Sequence, residues 1–272
     1  MAMYLAIDIG GTKTLLAVFD SHGKVVFEHK TPTDKTYAKF IKDIGAALNN
    51  ELKDYSFSYA CCAAPGLIDH KTGLVKYFGN LDWHDVPLKR DLQKLLGTAP
   101  VLVENDAKLA GLSEAVLVHE KYKKVLYLTV STGIGAGIII DGKIDQSLAD
   151  AEPGQMMLEH NGKIKKWEDF ASGQALHKRT GQLASEITDP KIWQAYAKDL
   201  AMGIEQLLAI IQPDVVIIGG GAGAHFEKFS APLHQQLKKL ESAMVRIPPV
   251  IKAQRPEEAV IYGCYDLIKQ QS

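Results

Sequence analysis

Short apolar runs at Tyr4–Ile9, Leu15–Phe19 and Val25–Phe27 are separated by Gly10-Gly11 and by the polar break Asp20–Gly23. Runs of this length with glycine between them predict strands joined by tight turns. The period then changes. Tyr37, Phe40, Ile41, Ile44, Leu48 and Leu52 fall on one face of a helix predicted over Thr36–Lys53. Tyr59–Ala63 predicts a strand broken by Pro65-Gly66, Val86–Leu96 a helix ended by Gly97, and Val101–Val103 a strand. A helix is predicted from Asn105-Asp106 to about Val118.

The second half reopens the pattern of the first. Val125–Val130 and Ile138–Ile140 flank a glycine-rich turn, as the runs within Leu5–Phe19 do, and Asp141-Gly142 follows as Asp20 and Gly23 do. This weak internal repeat predicts two α/β halves, each opening with a hairpin. Ala149–Lys166 is polar and reads as irregular; Trp167 to about Arg179 reads as helical. Asp189-Pro190 suits the N-cap and first position of a helix that places Trp193, Tyr196, Leu200, Leu207 and Ile211 on one face. Val215–Ile218 predicts a strand, Phe226–Leu240 a helix and Val250-Ile251 a strand; Pro256 opens a last helix to about Lys269. Alternating strands and helices predict α/β layers. The boundary between halves is expected near Lys108, giving a lobe of 1–107 plus 257–272 and a larger lobe of 108–256.

Composition narrows the function classes. With 31 Lys plus Arg against 32 Asp plus Glu, the net charge of −1 favours neither nucleic acid nor an anionic membrane. Cys61, Cys62 and Cys264 form no CxxC pair, the histidines form no HExxH, and Cys61-Cys62 reads as core. His160 reads as a lone surface histidine. No basic leader precedes Asp8 and no apolar run approaches the ~20 residues of a membrane span. A reduced, cytoplasmic protein is expected.

Three glycine-rich turns each follow an apolar strand. In Asp8-Ile-Gly-Gly-Thr-Lys-Thr14 the spacing is not that of a Walker A loop, yet backbone N–H groups and the Thr12 hydroxyl could donate to a phosphate. Asp8 could hold Mg²⁺ through water. The plainer reading is a hairpin turn with Gly10-Gly11 in an Asn-Gly-like role. Ser131-Thr-Gly-Ile-Gly-Ala-Gly137 allows the same two readings. Gly219-Gly-Gly-Ala-Gly-Ala224, with Glu241 about 20 residues on, nominally fits a dinucleotide fingerprint and a hydride-transfer enzyme; it also suits the flat face of a purine. Asn105-Asp106 is either a helix cap with a dipole-matched acid or carries a general base at Asp106.

Read together and in order, these motifs carry a resemblance. Asp8–Thr14, Ala64-Pro-Gly-Leu-Ile-Asp69, Gly79-Asn-Leu-Asp-Trp83, Glu104-Asn-Asp-Ala107, Ser131–Gly137, Asp141-Gly142, Glu152-Pro-Gly-Gln155, Trp167-Glu168, Ala171-Ser-Gly173 and Gly219–Gly221 span nearly the whole chain. The sequence resembles the ROK family of bacterial sugar kinases and sugar-responsive repressors. The resemblance implies an actin-like, hexokinase-type (ribonuclease H-like) α/β fold, with two lobes around a nucleotide and sugar cleft. It implies ATP and Mg²⁺, with Gly10, Gly11, Thr12, Lys13, Thr132 and Gly133 at the phosphates, Gly220 and Gly221 at the adenosine, and Asp8 at the metal. This displaces the dinucleotide reading. Asp106 matches the catalytic base, and Asn80, Asn105, Glu152 and Glu168 match sugar-contacting positions, with Gly66 beside them.

Two departures stand out. Gln155 occupies the place of a family histidine that contacts sugar and binds a structural zinc, and Met156–Lys166 has no cysteine where the zinc loop should fall, so that zinc is expected to be absent. The first hairpin starts at residue 4, where a repressor would carry a helix-turn-helix, so no DNA-binding arm is expected. The implied reaction is phosphoryl transfer from ATP to a hexose hydroxyl, with O6 of glucose as the default. Fructose, mannose, N-acetylmannosamine, N-acetylglucosamine and β-glucosides stay open as substrates, polyphosphate as donor, and a non-catalytic sugar sensor as the rival class. A homodimer is the family-level expectation.

Overall fold

The structure is a computed structural model in which residues 2–255 and 258–271 are described. The chain divides into two compact units, Met1–Ser113 with Glu258–Ser272, and Glu114–Glu257.

The first unit is built on a five-stranded sheet. Strands β1 (Met3–Ile9), β2 (Lys13–Phe19) and β3 (Val25–Pro32) form an antiparallel meander, and helix α1 (Tyr37–Asn50) leads to β4 (Phe57–Ala64). A small three-stranded sheet follows, made of β5 (Gly66–Asp69), β6 (Leu74–Phe78) and β7 (His84–Val86). Then come α2 (Leu88–Leu96), β8 (Val101–Asn105) and α3 (Asp106–Val118), within which the unit boundary falls. The order β3-β2-β1-β4-β8 places β1, β4 and β8 parallel to one another. Period-2 alternation then sorts the core. Leu5, Ile7, Ile9, Ala60 and Cys62 pack with Phe40, Ile44 and Leu92 on one face. Tyr4, Ala6, Cys61 and Ala63 pack on the other with Ile261, Cys264 and Ile268 of the C-terminal helix Ala259–Lys269.

The second unit repeats that plan. Strands β9 (Lys124–Val130), β10 (Ile134–Ile140) and β11 (Lys143–Ile144) form a meander. A 3₁₀ turn (Pro153–Gln155), the hairpin β12 (Met157–His160) and β13 (Lys163–Lys166), and helices α4 (Glu168–Ala171), α5 (Gly173–Thr180) and α6 (Pro190–Ile211) follow. Next are β14 (Val215–Gly219), α7 (Gly220–Gly223), α8 (Phe226–Lys238) and β15 (Val250–Lys252). The sheet order β11-β10-β9-β14-β15, with β9, β14 and β15 parallel, has the same topology as the first sheet. Asp189 caps α6, its Oδ1 accepting from the Lys191 N–H at 2.8 Å, and Trp193, Tyr196, Leu200, Leu207 and Ile211 are all buried.

Several expectations need correction. Strand β3 runs on to Pro32 because its residues alternate between half-buried and exposed, as suits an edge strand, and the polar outer positions hide it from a reading of apolar runs. The sheet β5–β7 was not foreseen, since its strands are three to five residues long, and Val86 belongs to β7 rather than to the helix. Ala149–Lys166 is not irregular: Met157 to Lys166 forms a hairpin turning at Asn161 and Gly162, both at positive φ. The helix expected from Trp167 to Arg179 is two helices, because Ser172 leaves helical geometry (φ −72°, ψ 164°) to cap α5 through its side chain. Pro256 lies outside the described residues. No helix among the described residues is long and apolar enough to cross a membrane.

The C-terminal helix approaches α3 backbone to backbone: a Cβ at Gly263 would collide with the Leu109 carbonyl. Gly263→Ala should therefore destabilise the protein by ~1–3 kcal/mol, since an interior methyl without room costs about that much. Thermal denaturation checks this; an unchanged Tm would mean that the two helices can separate without penalty.

Candidate functional site

In the first unit the parallel register carries Asp8, Ala63 and Glu104 to the same level, so Pro65-Gly66 and Asn105-Asp106 emerge at the carboxyl ends of neighbouring strands. This end of a parallel sheet is where α/β proteins bind ligands. The β1–β2 turn is closed by the Gly10 N–H donating to the Lys13 carbonyl at 3.0 Å. A Cβ on Gly10 would lie 2.7 Å from that carbonyl, and neither Gly10 nor Gly11 has positive φ. The glycines are thus required by close approach, not by the Asn-Gly-like geometry. Thr12 and Lys13 are exposed, and the Thr12 carbonyl accepts from Thr33 N–H at 3.0 Å. Behind the turn the buried hydroxyls of Thr14 and Thr33 bond at 2.8 Å. A Cβ on Gly11 would stand 3.1 Å from Asn80 Nδ2, so the Asn80 amide lies against the turn.

Asn105 fulfils the cap reading and does more. Its Oδ1 accepts from the N–H groups of Ala107 (2.9 Å) and Lys108 (3.3 Å), while Nδ2 donates to the Gly66 carbonyl at 3.1 Å. The amide keeps a second hydrogen with which to meet a ligand oxygen. Gly66 sits at φ +151°, and any side chain there would collide with the Tyr77 carbonyl. Asp106 opens α3, its Oδ1 accepting from Ala107 N–H at 2.9 Å, and an acid is favourable at that end of a helix. Burial pushes the Asp8 carboxyl up to about 7, and the nearby charge of Asp106 pushes it the same way. A buried carboxyl facing a second carboxylate suits a divalent cation. Mg²⁺ is commonly held by one or two carboxylates with phosphate oxygens completing its shell. Among the described residues no group of three or more His, Cys, Asp or Glu could form a metal cage.

In the second unit a single carboxylate ties several predicted positions together. Glu168 Oε1 accepts from Gln155 Nε2 at 2.6 Å, and Oε2 accepts from the Ile134 N–H at 3.3 Å. Cβ atoms on Gly133 and Gly154 would come within 2.6 and 2.8 Å of Oε2. Glu168 thus lies between the β9–β10 turn and the 3₁₀ turn, and a Cβ on Gly154 would also strike the Ile134 carbonyl at 2.4 Å. In the β9–β10 turn Ser131 N–H donates to the Gly133 carbonyl at 3.0 Å and Thr132 is exposed. Glu152, also exposed, opens the 3₁₀ turn, its carbonyl accepting from Gln155 N–H at 3.0 Å. Gly220, at φ +75°, abuts the end of β9, where a Cβ would lie 2.7 Å from Val130 N. Gly221 is exposed with nothing within 4 Å of its Cβ position. The third turn leads from β14 through α7 and α8 to the parallel β15, but beyond β14 the sheet continues as the antiparallel meander β9–β10–β11, unlike the mostly parallel sheet of a dinucleotide-binding fold.

The first unit therefore gathers Asp8, Gly10, Gly11, Asn80, Asn105, Asp106 and Gly66, and the second Thr132, Gly133, Gln155 and Glu168. Sequence reasoning missed the polar group behind the second set. His160 is not a surface residue: its ring stacks on Phe170 (centroids 4.2 Å apart, 11° between planes) and Nε2 meets Asp199 Oδ1 at 3.2 Å. Asp199 Oδ2 also accepts from Arg179. These residues are far apart in the chain, and a lone histidine in a polar stretch carries no signal of burial. Cys61 and Cys62 are fully buried on opposite faces of β4, as core thiols.

Known proteins share this plan. The chain is 26% identical over 313 aligned residues to a glucokinase of Streptomyces coelicolor, covering 99% of this chain and 98% of that one. It is 24% identical to the N-acetyl-D-glucosamine kinase of Haemophilus influenzae, covering 96% and 97%. The structure matches that of a ROK family glucokinase from Streptomyces griseus in complex with glucose and AMPPNP, with a TM-score of 0.82, 25% identity and coverage of 99% and 100%. The two α/β units accordingly have the actin-like, hexokinase-type fold. The ROK family model matches residues 4–271, and the chain belongs to the ROK family.

Proposed function

We propose that this protein is an ATP-dependent sugar kinase that transfers the γ-phosphoryl group to a hexose hydroxyl, O6 of glucose being the first substrate to test. The observation that carries the reading is the opposed pair of Asp8 and Asp106 at the carboxyl edge of the first sheet. One carboxylate serves the cation and the other the attacking hydroxyl. The relatives named as kinases of glucose and of N-acetyl-D-glucosamine support a hexose as acceptor.

In this reading the sugar contacts are Asn80, Asn105, Gly66, Glu152, Gln155 and Glu168. A pocket built to hydrogen-bond each hydroxyl rejects sugars lacking one, because its buried polar groups are left unpaired. Asp106 accepts the proton of the attacking hydroxyl as its oxygen bonds to the γ-phosphorus. The bond from that phosphorus to the β,γ-bridging oxygen breaks, and ADP leaves with the electron pair. The transition state is loose, so placement of the hydroxyl outweighs base strength. Backbone N–H groups of the two hairpin turns, with Thr12, Lys13 and Thr132, hold the phosphates, and the turn at Gly220-Gly221 takes the adenosine. Asp8 would hold Mg²⁺, which neutralises phosphate charge when bound.

A sugar panel assayed for ADP release, with polyphosphate as an alternative donor, tests the reading. Release should depend on sugar, and Asp106→Asn should lower kcat by about 10²–10⁴-fold, the usual worth of a general base; a loss under about tenfold removes Asp106 from that role. Gln155→Ala should raise the sugar KM by about tenfold with the ATP KM unchanged, since it removes a hydrogen bond to a charged group. Equal changes in both constants would sink its assignment to the sugar.

Asp8 makes a separate prediction from pH. Between about pH 4 and about pH 7 the folded chain keeps a proton on Asp8 that the unfolded chain has lost. The stability contributed there falls as pH rises through that window. Relative to Asp8→Asn, the wild-type Tm should therefore drop as pH rises from about 4 to about 7. A difference that does not vary with pH would show that burial does not hold the Asp8 carboxyl above the ordinary carboxylate range.

A further inference from the structure

The hairpin β12–β13 departs from Gln155 and returns at Glu168, the two residues whose side chains bond at 2.6 Å. It pairs with no other strand among the described residues, and an isolated two-stranded hairpin has little stability of its own. Something else must hold it, and the contacts converge on Asp199 in the middle of α6. At the hairpin's end, His160 Nε2 bonds Asp199 Oδ1 at 3.2 Å. At its base, the Trp167 indole N–H donates to the Asp199 carbonyl at 3.3 Å, and Trp167 N–H donates to the Met156 carbonyl at 2.8 Å. Trp167 is itself pressed onto Gly203, one helical turn along α6, where a Cβ would overlap the indole. Arg179 of α5 holds the other Asp199 oxygen.

His160 also grips the helix that carries Glu168. Its ring lies flat on Phe170, which shares the four-residue helix α4 with Glu168. Such a short helix has almost no intrinsic stability, so the direction of Glu168 depends on what packs around it. His160 Nδ1 is buried with no partner, a cost that this contact must offset.

We infer that His160 and Asp199 are positioning residues that orient the Gln155–Glu168 pair toward the sugar, acting through Trp167 and Phe170. This rests on the reading of Gln155 and Glu168 as sugar contacts. A stable bond from His160 to a carboxylate costs entropy only once, on folding, and spares the sugar from ordering the loop when it binds.

The test compares wild type with His160→Ala, His160→Phe and His160→Gln in the full chain. His160→Ala should raise the sugar KM by about tenfold, leave kcat within about threefold and leave the ATP KM unchanged. His160→Gln, which can still donate to Asp199, should recover most of the loss, whereas His160→Phe, which keeps only the stack, should not. Hydrogen exchange of residues 156–168 should quicken in His160→Ala without sugar present. An unchanged sugar KM with unchanged exchange overturns the inference, as does a fall in kcat alone. Should the wild type phosphorylate no sugar, the kinase reading fails by itself. Exchange at residues 156–168 then still decides whether His160 holds the hairpin.

Discussion

Three strands, β1, β4 and β8, run parallel and in register, and their carboxyl ends deliver Asp8, Pro65-Gly66 and Asn105-Asp106 to one edge of a sheet. Adjacent strands lie about 4.8 Å apart, so chain positions separated by nearly a hundred residues come within about 10 Å of one another. That closeness sets Asp8 against Asp106, and the burial of Asp8 keeps water from fully screening it. Left alone, the arrangement costs stability. The helix terminus at Asp106 offsets part of that cost, because it favours negative charge.

The second sheet uses the same strand order for a different purpose. Its parallel strands end at the third glycine turn, and its hairpin turn is held by a side chain rather than by backbone alone. Glu168 reaches back to Ile134 N–H, and its second oxygen is shared with Gln155. A carboxylate wedged between two glycines has few rotamers open to it. Its direction is therefore set before any ligand arrives, and preorganisation of this kind lowers the cost of binding. The same bonds join the turn assigned to phosphate with the turn assigned to sugar, so disturbance of one reaches the other through a single side chain.

Glycine stands in three physically different settings here. Gly10, Gly133 and Gly154 exist because a Cβ would strike a neighbouring carbonyl or carboxylate. Gly66 and Gly220 combine such a clash with positive φ, which makes them the least replaceable. Gly221 has open space around it, so no clash and no positive φ requires a glycine there.

Local pattern alone settled much of this protein. Apolar runs and helical spacing located most of the strands and long helices, the Asp189-Pro190 start of α6 and the repeated hairpin opening, because these depend on interactions between near neighbours in the chain. The ordered set of glycine and acid motifs marked the family for the same reason: each motif is a short stretch whose backbone geometry is its function. What sequence pattern could not reach is the set of contacts made across the chain. The short strands β5–β7 and the hairpin β12–β13 lack apolar runs of their own and are defined by their partners. The wedging of Glu168 and the burial of His160 against Phe170 and Asp199 join residues up to 39 positions apart. Packing and buried hydrogen bonds are long-range in sequence, so only the folded chain decided them.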